Sequence, residues 1–331
     1  MGQDDYVAQV KFGAFYVKEM GLTPGQFAQQ LERLGFDAFF TGESPTMRGP
    51  SYDQFTVLNW AAAATDALRV GSDVLLMPLH HPAWVAKQFG TLDVLSRGRA
   101  ILGVGVGGDG AGVGPKQFAG FGIPISERGK RTDEGIEIVK RFWTEPEVTY
   151  HGRFFDFEGV TMEPKPVQPG GPPIWVGGRP GGTERGPDGE LRKKSATGAI
   201  RRAAKYADVW HPFYMTPETY AQSVADIRAH AEEIGRDVST MGWSHNFHFL
   251  MGKDYETALD EAASKTRYGY QHARERIAKY DILGNPDDCI RRLQDFVDAG
   301  VNYVVCQWSC SPQEIPDHIE RIGREIIPHF R

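Results

Sequence analysis

Three apolar runs between residues 69 and 178, each carrying glycine, constrain the fold of this chain more than any other feature. They are Arg69–Pro78 (RVGSDVLLMP), Arg99–Gly108 (RAILGVGVGG) and Pro172–Gly178 (PPIWVGG). Each has the length and the Val/Ile/Leu content of a strand buried on both faces, which is how parallel strands read. The segments between them read as helices. Glycines at the carboxyl ends of parallel strands let backbone N–H groups approach a ligand closely. The pattern therefore points to an anionic cofactor lying across the strand ends of an α/β protein.

The same alternation runs from end to end. Strands are expected at Val10–Tyr16, Ala38–Thr41, Val70–Met77, Ala100–Val106, Ile174–Val176, Ala207–Trp210, Trp243–Met251 and Tyr303–Trp308. Helices are expected between them, with Pro24 and Pro286 as first-turn signals. One interruption stands out: Val148–Phe157 (VTYHGRFFDF) reads as a β-hairpin with His151-Gly152 in its turn. A long glycine-rich loop is expected over Gly107–Ile125, and a mobile polar loop over Arg179–Gly198. Eight strands, each followed by a helix, fit a (β/α)8 TIM barrel with a small β-hairpin insertion. With no linker, repeat or low-complexity tract, residues 1–331 are expected to form one domain.

Composition narrows the partners. A chain of 331 residues that is 40% hydrophobic and 24% charged buries a large core. The net charge of -6, with no basic arm, argues against nucleic acid. No apolar stretch approaches the roughly 18 residues of a membrane span. The N-terminus does not read as a signal peptide, so a cytoplasmic protein is expected. The sparse cysteines Cys289, Cys306 and Cys310 fit a reducing compartment. Cys306 and Cys310 lack a second Cys/His pair at finger spacing, and the histidines lack an HExxH arrangement, so no metal site is expected. A serine-hydrolase elbow is also missing.

From Pro78 to Gly108 the sequence reads PLHHPAWVAKQFGTLDVLSRGRAILGVGVGG. Leu34–Glu43 (LGFDAFFTGE), His151–Gly178, Ala203–Trp210 (AAKYADVW) and Gly284–Gly300 (GNPDDCIRRLQDFVDAG) follow the same order of landmarks. Together they resemble the bacterial luciferase-like family of flavin and deazaflavin oxidoreductases, and in flavour its members that use the deazaflavin coenzyme F420. That resemblance implies a barrel holding the cofactor ring at the carboxyl ends of its strands. The cofactor phosphate would lie against the loop after the fifth strand. A cis peptide between Asp73 and Val74 would form a bulge under the ring. The resemblance also implies a homodimer, for which the apolar segments Val57–Ala64 and Trp84–Leu95 offer a contact.

Candidate site residues follow from these expectations. Gly177 and Gly178 read either as a tight turn or as a backbone cradle for phosphate, with Arg179 able to add a forked contact. Arg192, Lys193 and Lys194 read as a solvated run or as contacts to the cofactor's acidic tail. Gly103, Gly105, Gly107 and Gly108 either relieve crowding inside the barrel or let the backbone approach the ring. Asp109 would lie at the barrel mouth as a candidate acid/base group. His211, after the sixth strand, is a second candidate. Many deazaflavin relatives carry histidine where this chain has Ser44, next to Glu43. Serine alone does not shuttle protons near neutral pH, so the proton would come from Asp109, His211 or water. His245 and His248 differ by three residues and so face opposite sides of a strand.

The leading expectation is thus hydride transfer between F420 and a small organic substrate. The runner-up is a monooxygenase using reduced FMN supplied by a separate flavin reductase. A non-catalytic flavin-binding protein is the third reading.

Overall fold

The computed structural model describes residues 9–43, 45, 51–108, 113–181, 183–185, 191–193, 197–265 and 270–331. Ser44 and Asp109 therefore lie outside the described residues. The strands are β1 Lys11–Phe15, β2 Ala38–Thr41, β3 Arg69–Ser72, β4 Leu75–Leu76, β5 Ala100–Gly105, β6 Val148–His151, β7 Asp156–Val160, β8 Ile174–Gly177, β9 Thr183–Arg185, β10 Leu191–Lys193, β11 Val209–His211, β12 Gly242–Met251, β13 Ile282–Gly284 and β14 Tyr303–Trp308. The helices are α1 Pro24–Arg33, α2 Gln54–Ala63, α3 Pro82–Leu95, α4 Val113–Gly120, α5 Arg128–Thr144, α6 Thr197–Tyr206, α7 Pro217–Glu233, α8 Tyr255–Ser264, α9 Tyr270–Tyr280, α10 Pro286–Asp298 and α11 Ile315–Arg321.

The order β11-β8-β5-β3-β2-β1-β14-β12, with β11 also paired to β12, closes a parallel barrel. This is the (β/α)8 barrel the alternation predicts. The third barrel strand is split into β3 and β4 by Asp73 and Val74, whose peptide bond is cis. The hairpin β6–β7 precedes β8, as expected, but its register pairs His151 with Asp156, so the turn begins at Gly152. Three elements differ from expectation. The glycine-rich loop contains α4. The polar stretch after β8 contains the paired strands β9 and β10. The short strand β13 adds to the far end of β12, outside the ring.

Ala38, Phe40, Ile101, Trp175, Val209, Tyr303 and Val305 fill the barrel interior. Phe40 fits there because β1 and β3 carry glycine beside it. A Cβ at Gly13 or at Gly71 would lie 2.6 Å from its ring, inside van der Waals contact. The opposite faces of the strands join the larger apolar layer under the helices. The Leu-Asp-Val-Leu-Ser-Arg-Gly-Arg segment at the end of α3 is structural. Buried Asp93 accepts from the Val167 and Gln168 N–H groups at 2.9 Å each. Arg99 donates to the Ala62, Thr65, Leu68 and Ser96 carbonyls. These are buried donors and acceptors paired across three connections, as close packing requires.

Candidate active site

A cavity of about 830 Å³ opens at the carboxyl ends of the barrel strands, where barrels of this kind carry their sites. Its size lies in the range of cofactor pockets. Asp73, Val74, Gly105, Gly107, Gly108, Gly177, Gly178, Arg179 and His211 all line it, so the structure gathers these candidates around one space, with Gly103 outside its lining.

The floor is built on the break in the third strand, and the glycines of neighbouring strands make room for that break. A Cβ at Gly103 would sit 2.0 Å from the Ser72 carbonyl oxygen. One at Gly105 would sit 2.5 Å from Val74 Cγ2, and one at Gly177 3.3 Å from Val74 Cγ1. The glycine pattern at the strand ends thus serves the bulge first, a reason for it that the sequence does not display. Ser72 locks the same place: its Oγ donates to the Gly103 carbonyl at 2.8 Å and accepts from the Gly103 N–H at 2.9 Å.

Four side chains from four strands converge above the apolar interior. His211 Nε2 lies 2.9 Å from Asp73 Oδ1. Asn246 Nδ2 donates to the same oxygen at 3.0 Å, and Gln307 Nε2 donates to Oδ2 at 3.0 Å. On the other side of the imidazole, Nδ1 lies 2.6 Å from Ser244 Oγ. That hydroxyl gives its single hydrogen to the Trp210 carbonyl at 2.9 Å, so it accepts from His211 and Nδ1 carries a proton. The Nε2–Oδ1 contact then needs one further proton between the two groups. Burial works to raise the Asp73 carboxyl. The His211 charge and the hydrogen bonds from His211, Asn246 and Gln307 outweigh it, leaving the pKa below the ordinary carboxylate value. The pair therefore holds one proton along the Nε2–Oδ1 contact.

His211 rests on the interior layer, its ring 5.2 Å from that of Trp175. It is only 2% exposed, deeper than the mouth position expected for it. His245 and His248 do face opposite sides of β12. His245 is buried among Tyr220, Phe247 and Phe296 under the helices. His248 lines the cavity, parallel to Tyr214 with ring centroids 5.2 Å apart. Burial, reinforced by the Arg276 charge and opposed by Asp73, lowers its pKa to about 4, so it is neutral near pH 7. Glu43, at the end of β2, accepts from the Leu76 N–H at 2.6 Å and meets His80 Nε2 at 2.5 Å. It ties the second strand to the segment after the bulge. His81 caps α3, accepting from the Ala83 N–H at 3.3 Å.

The other rim is formed by the end of β8. Gly178 has φ +130°, a conformation L side chains rarely adopt, and its carbonyl accepts from Trp210 Nε1 at 2.9 Å. A Cβ there would lie 3.2 Å from Ala199 Cβ, because the first turn of α6 comes close. The unpaired N–H groups of a helix's first turn make this a suitable place for an anion. The Arg179 guanidinium carbon sits 5.7 Å from the Phe213 ring centre. A glycine turn, a helix N-terminus and an arginine fit a phosphate, while the apolar walls Val74 and Leu76 fit a flat ring beside it.

Asn246, Gln307 and Ser244 were not among the candidates. Their signal was present: Ser244, Asn246 and His248 alternate along β12, and Tyr303, Val305 and Gln307 along β14, so each set shares a strand face.

Comparison with known proteins agrees with this architecture. The chain belongs to the luciferase-like monooxygenase family, whose profile matches residues 24–184 and 195–303. An uncharacterised protein of Mycobacterium tuberculosis is 35% identical over 56% of this chain, and the match spans only 57% of that protein. The 5,10-methylenetetrahydromethanopterin reductase of Archaeoglobus fulgidus is 28% identical over 97% of this chain and all of its own length. Among solved structures, an F420-dependent secondary alcohol dehydrogenase in complex with an F420-acetone adduct superposes with a TM-score of 0.78. It is 19% identical, over 98% of this chain and 99% of that one.

Proposed function

We propose that this protein is an oxidoreductase that uses coenzyme F420 to reduce or oxidise a small organic substrate. The observation that carries the reading is the proton-bearing pair His211–Asp73 at the floor of a cavity otherwise suited to a ring and a phosphate. When bound, the deazaflavin supplies a hydride donor or acceptor that reacts poorly with oxygen, and the chemistry beyond that is positioning and proton transfer. The residues that would hold it are Asp73 and Val74 under the ring, Gly107 and Gly108 beside it, and Gly177, Gly178 and Arg179 at the phosphate.

His211 supplies the proton that accompanies hydride movement. Its Nε2 proton faces the Asp73 carboxylate, and Asn246 and Gln307 keep that carboxylate in place. Ser244 fixes the ring through Nδ1. General acid catalysis of this kind contributes about 10²–10⁴-fold. Asp109 and Ser44 follow barrel strands in sequence and stay candidates, Asp109 as an alternative acid and Ser44 as a hydrogen-bonding contact to substrate or ring. Similarity to an F420-dependent glucose-6-phosphate dehydrogenase of Kineococcus radiotolerans, 25% identical over 92% of this chain, supports the deazaflavin reading.

We read the chain as one domain, since β1 near the start pairs with β14 near the end. It is expected to form a homodimer through α2 and α3, where Trp60, Trp84 and Leu95 are exposed. No described helix is long and apolar enough to cross a membrane. A cytoplasmic setting suits the three free cysteines.

Separate titrations of the purified protein with F420 and with FMN test the proposal, followed by turnover with and without oxygen. Binding of F420 and equal aerobic and anaerobic rates are expected. Binding of FMN alone, with strict oxygen dependence and need for a flavin reductase, would replace it with the two-component monooxygenase. Binding without turnover of any substrate class would leave a flavin-binding protein.

A further inference from the structure

Cys310, Glu314 and His318 follow the last barrel strand at intervals of four residues, the first two on the turn that leads into α11 and His318 within that helix. The fold brings one ligand atom of each (the thiol sulfur, a carboxylate oxygen and a ring nitrogen) within 4.8 Å of the other two. None of the three lines the cavity at the strand ends. We propose that they form a binding site for a thiophilic divalent transition-metal ion, of the zinc(II) or cobalt(II) kind, on the outer side of the barrel.

Spacing alone does not carry this; the state of His318 does. Its side chain is 9% exposed, and its buried Nδ1 has no hydrogen-bond partner. Buried polar nitrogens are nearly always paired, and each exception calls for a reason.

The other two ligands are prepared differently. Glu314 Oε2 accepts from the Ser311 N–H at 2.7 Å and meets Lys265 Nζ at 3.1 Å, while Oε1 enters neither contact. The glutamate is exposed on one side, which leaves room for a water as fourth ligand, as in sites with three protein ligands. Cys310 is a free thiol, partly buried. Metal–ligand bonds of about 2.0–2.3 Å put tetrahedral ligand atoms roughly 3.3–3.8 Å apart, so only a small closure of the cluster is needed for it to load. Sulfur, imidazole and one carboxylate select a borderline or soft dication over magnesium or calcium, which take oxygen ligands.

Loading is an exchange. The Cys310 S–H bond breaks, its proton goes to water, and a sulfur–metal bond forms with no change of oxidation state. Lys265 opposes it, because its ammonium holds Glu314 and also Glu261, at 2.6 Å.

The experiment uses untagged protein stripped with chelator and titrated with cobalt(II), read by the thiolate-to-cobalt charge-transfer absorption, with zinc(II) competing. One equivalent is expected to bind. The band should be lost in Cys310→Ser and His318→Gln and weakened at least tenfold in Glu314→Gln. It should tighten several-fold in Lys265→Met and stay unchanged in Cys289→Ser. Circular dichroism checks each fold. If His318→Gln fails to fold, the exposed Glu314→Gln and Lys265→Met variants decide. Sub-stoichiometric binding by the wild type, or a band that survives Cys310→Ser, would overturn the site.

Discussion

His211 and Asp73 stand 138 residues apart in sequence and 2.9 Å apart in the barrel, one at the end of β11 and the other in the break of the third strand. Ser244 fixes a proton on the far nitrogen of the ring, so the near nitrogen and the carboxylate hold one proton between them. The role proposed for His211 depends on that proton. Glutamine in its place would keep a hydrogen bond to Asp73 but carry no exchangeable charge. His211→Gln is expected to lower kcat by about 10²-fold or more, with cofactor affinity changed less than about threefold. Stopped-flow turnover with equilibrium titration checks this. An equal fall in affinity would make His211 a binding residue instead.

The same pair sets an acid limit on stability. The Asp73 pKa is lower in the folded protein than its ordinary value, so its contribution is present above pH 4 and lost as pH falls through the folded value. Removing one partner of a buried pair costs about 3–5 kcal/mol. Asp73→Asn is therefore expected to be less stable than wild type at pH 6 by roughly that amount. The gap should narrow as pH falls below 4. Urea unfolding across that range measures it, and a gap that does not narrow in acid would contradict the assignment.

Much of this was legible in the chain. Period and glycine placement located the eight barrel strands, because parallel strands buried on both faces leave continuous apolar runs. The break at Asp73–Val74 could be placed only through family resemblance, since nothing local in RVGSDVLLMP distinguishes a bulge from a straight strand. The reason for Gly103 and Gly105 was hidden for the same cause: it lies across the sheet, at Ser72 on β3 and at Val74 in the break after it. His211 was found because titratable residues after strands attract notice. Asn246 and Gln307 were passed over because amides do not titrate, although their alternation along β12 and β14 marked the inward face. β13 was missed because three residues carry too little pattern to separate a strand from a helix end.

Two glycine substitutions should separate scaffold from site. At Gly103 a Cβ would meet backbone, the Ser72 carbonyl oxygen at 2.0 Å. A backbone oxygen does not move aside cheaply, so Gly103→Ala is expected to lower stability by about 2–3 kcal/mol or more. At Gly178 the side chain would meet Ala199 and the backbone would be held at φ +130°. Gly178→Val is expected to weaken cofactor binding at least tenfold in protein that still folds. Thermal denaturation and cofactor titration of both variants test this. Full cofactor affinity in folded Gly178→Val would move the phosphate away from the end of β8.

A buried carboxyl between α9 and β13 makes the last prediction. Asp281, at the end of α9, is 6% exposed and accepts from Ser309 Oγ at 2.6 Å. Burial raises its pKa from 3.8 to about 7, against the pull of Ser309 and the Arg276 charge. A carboxyl whose folded value is raised binds its proton more tightly in the folded state. Its contribution is full below pH 4 and is lost as pH rises through 7. The displacement corresponds to roughly 4 kcal/mol at most. An asparagine side chain there would keep a polar partner for Ser309 without ionising. Asp281→Asn is therefore expected to match wild type within about 1 kcal/mol at pH 5 and to be more stable by up to about 3 kcal/mol at pH 8.5. Urea unfolding at several pH values reads the difference directly. Parallel curves for the two proteins from pH 5 to 8.5 would mean that Asp281 is ionised throughout, and that Arg276 and Ser309 together outweigh its burial.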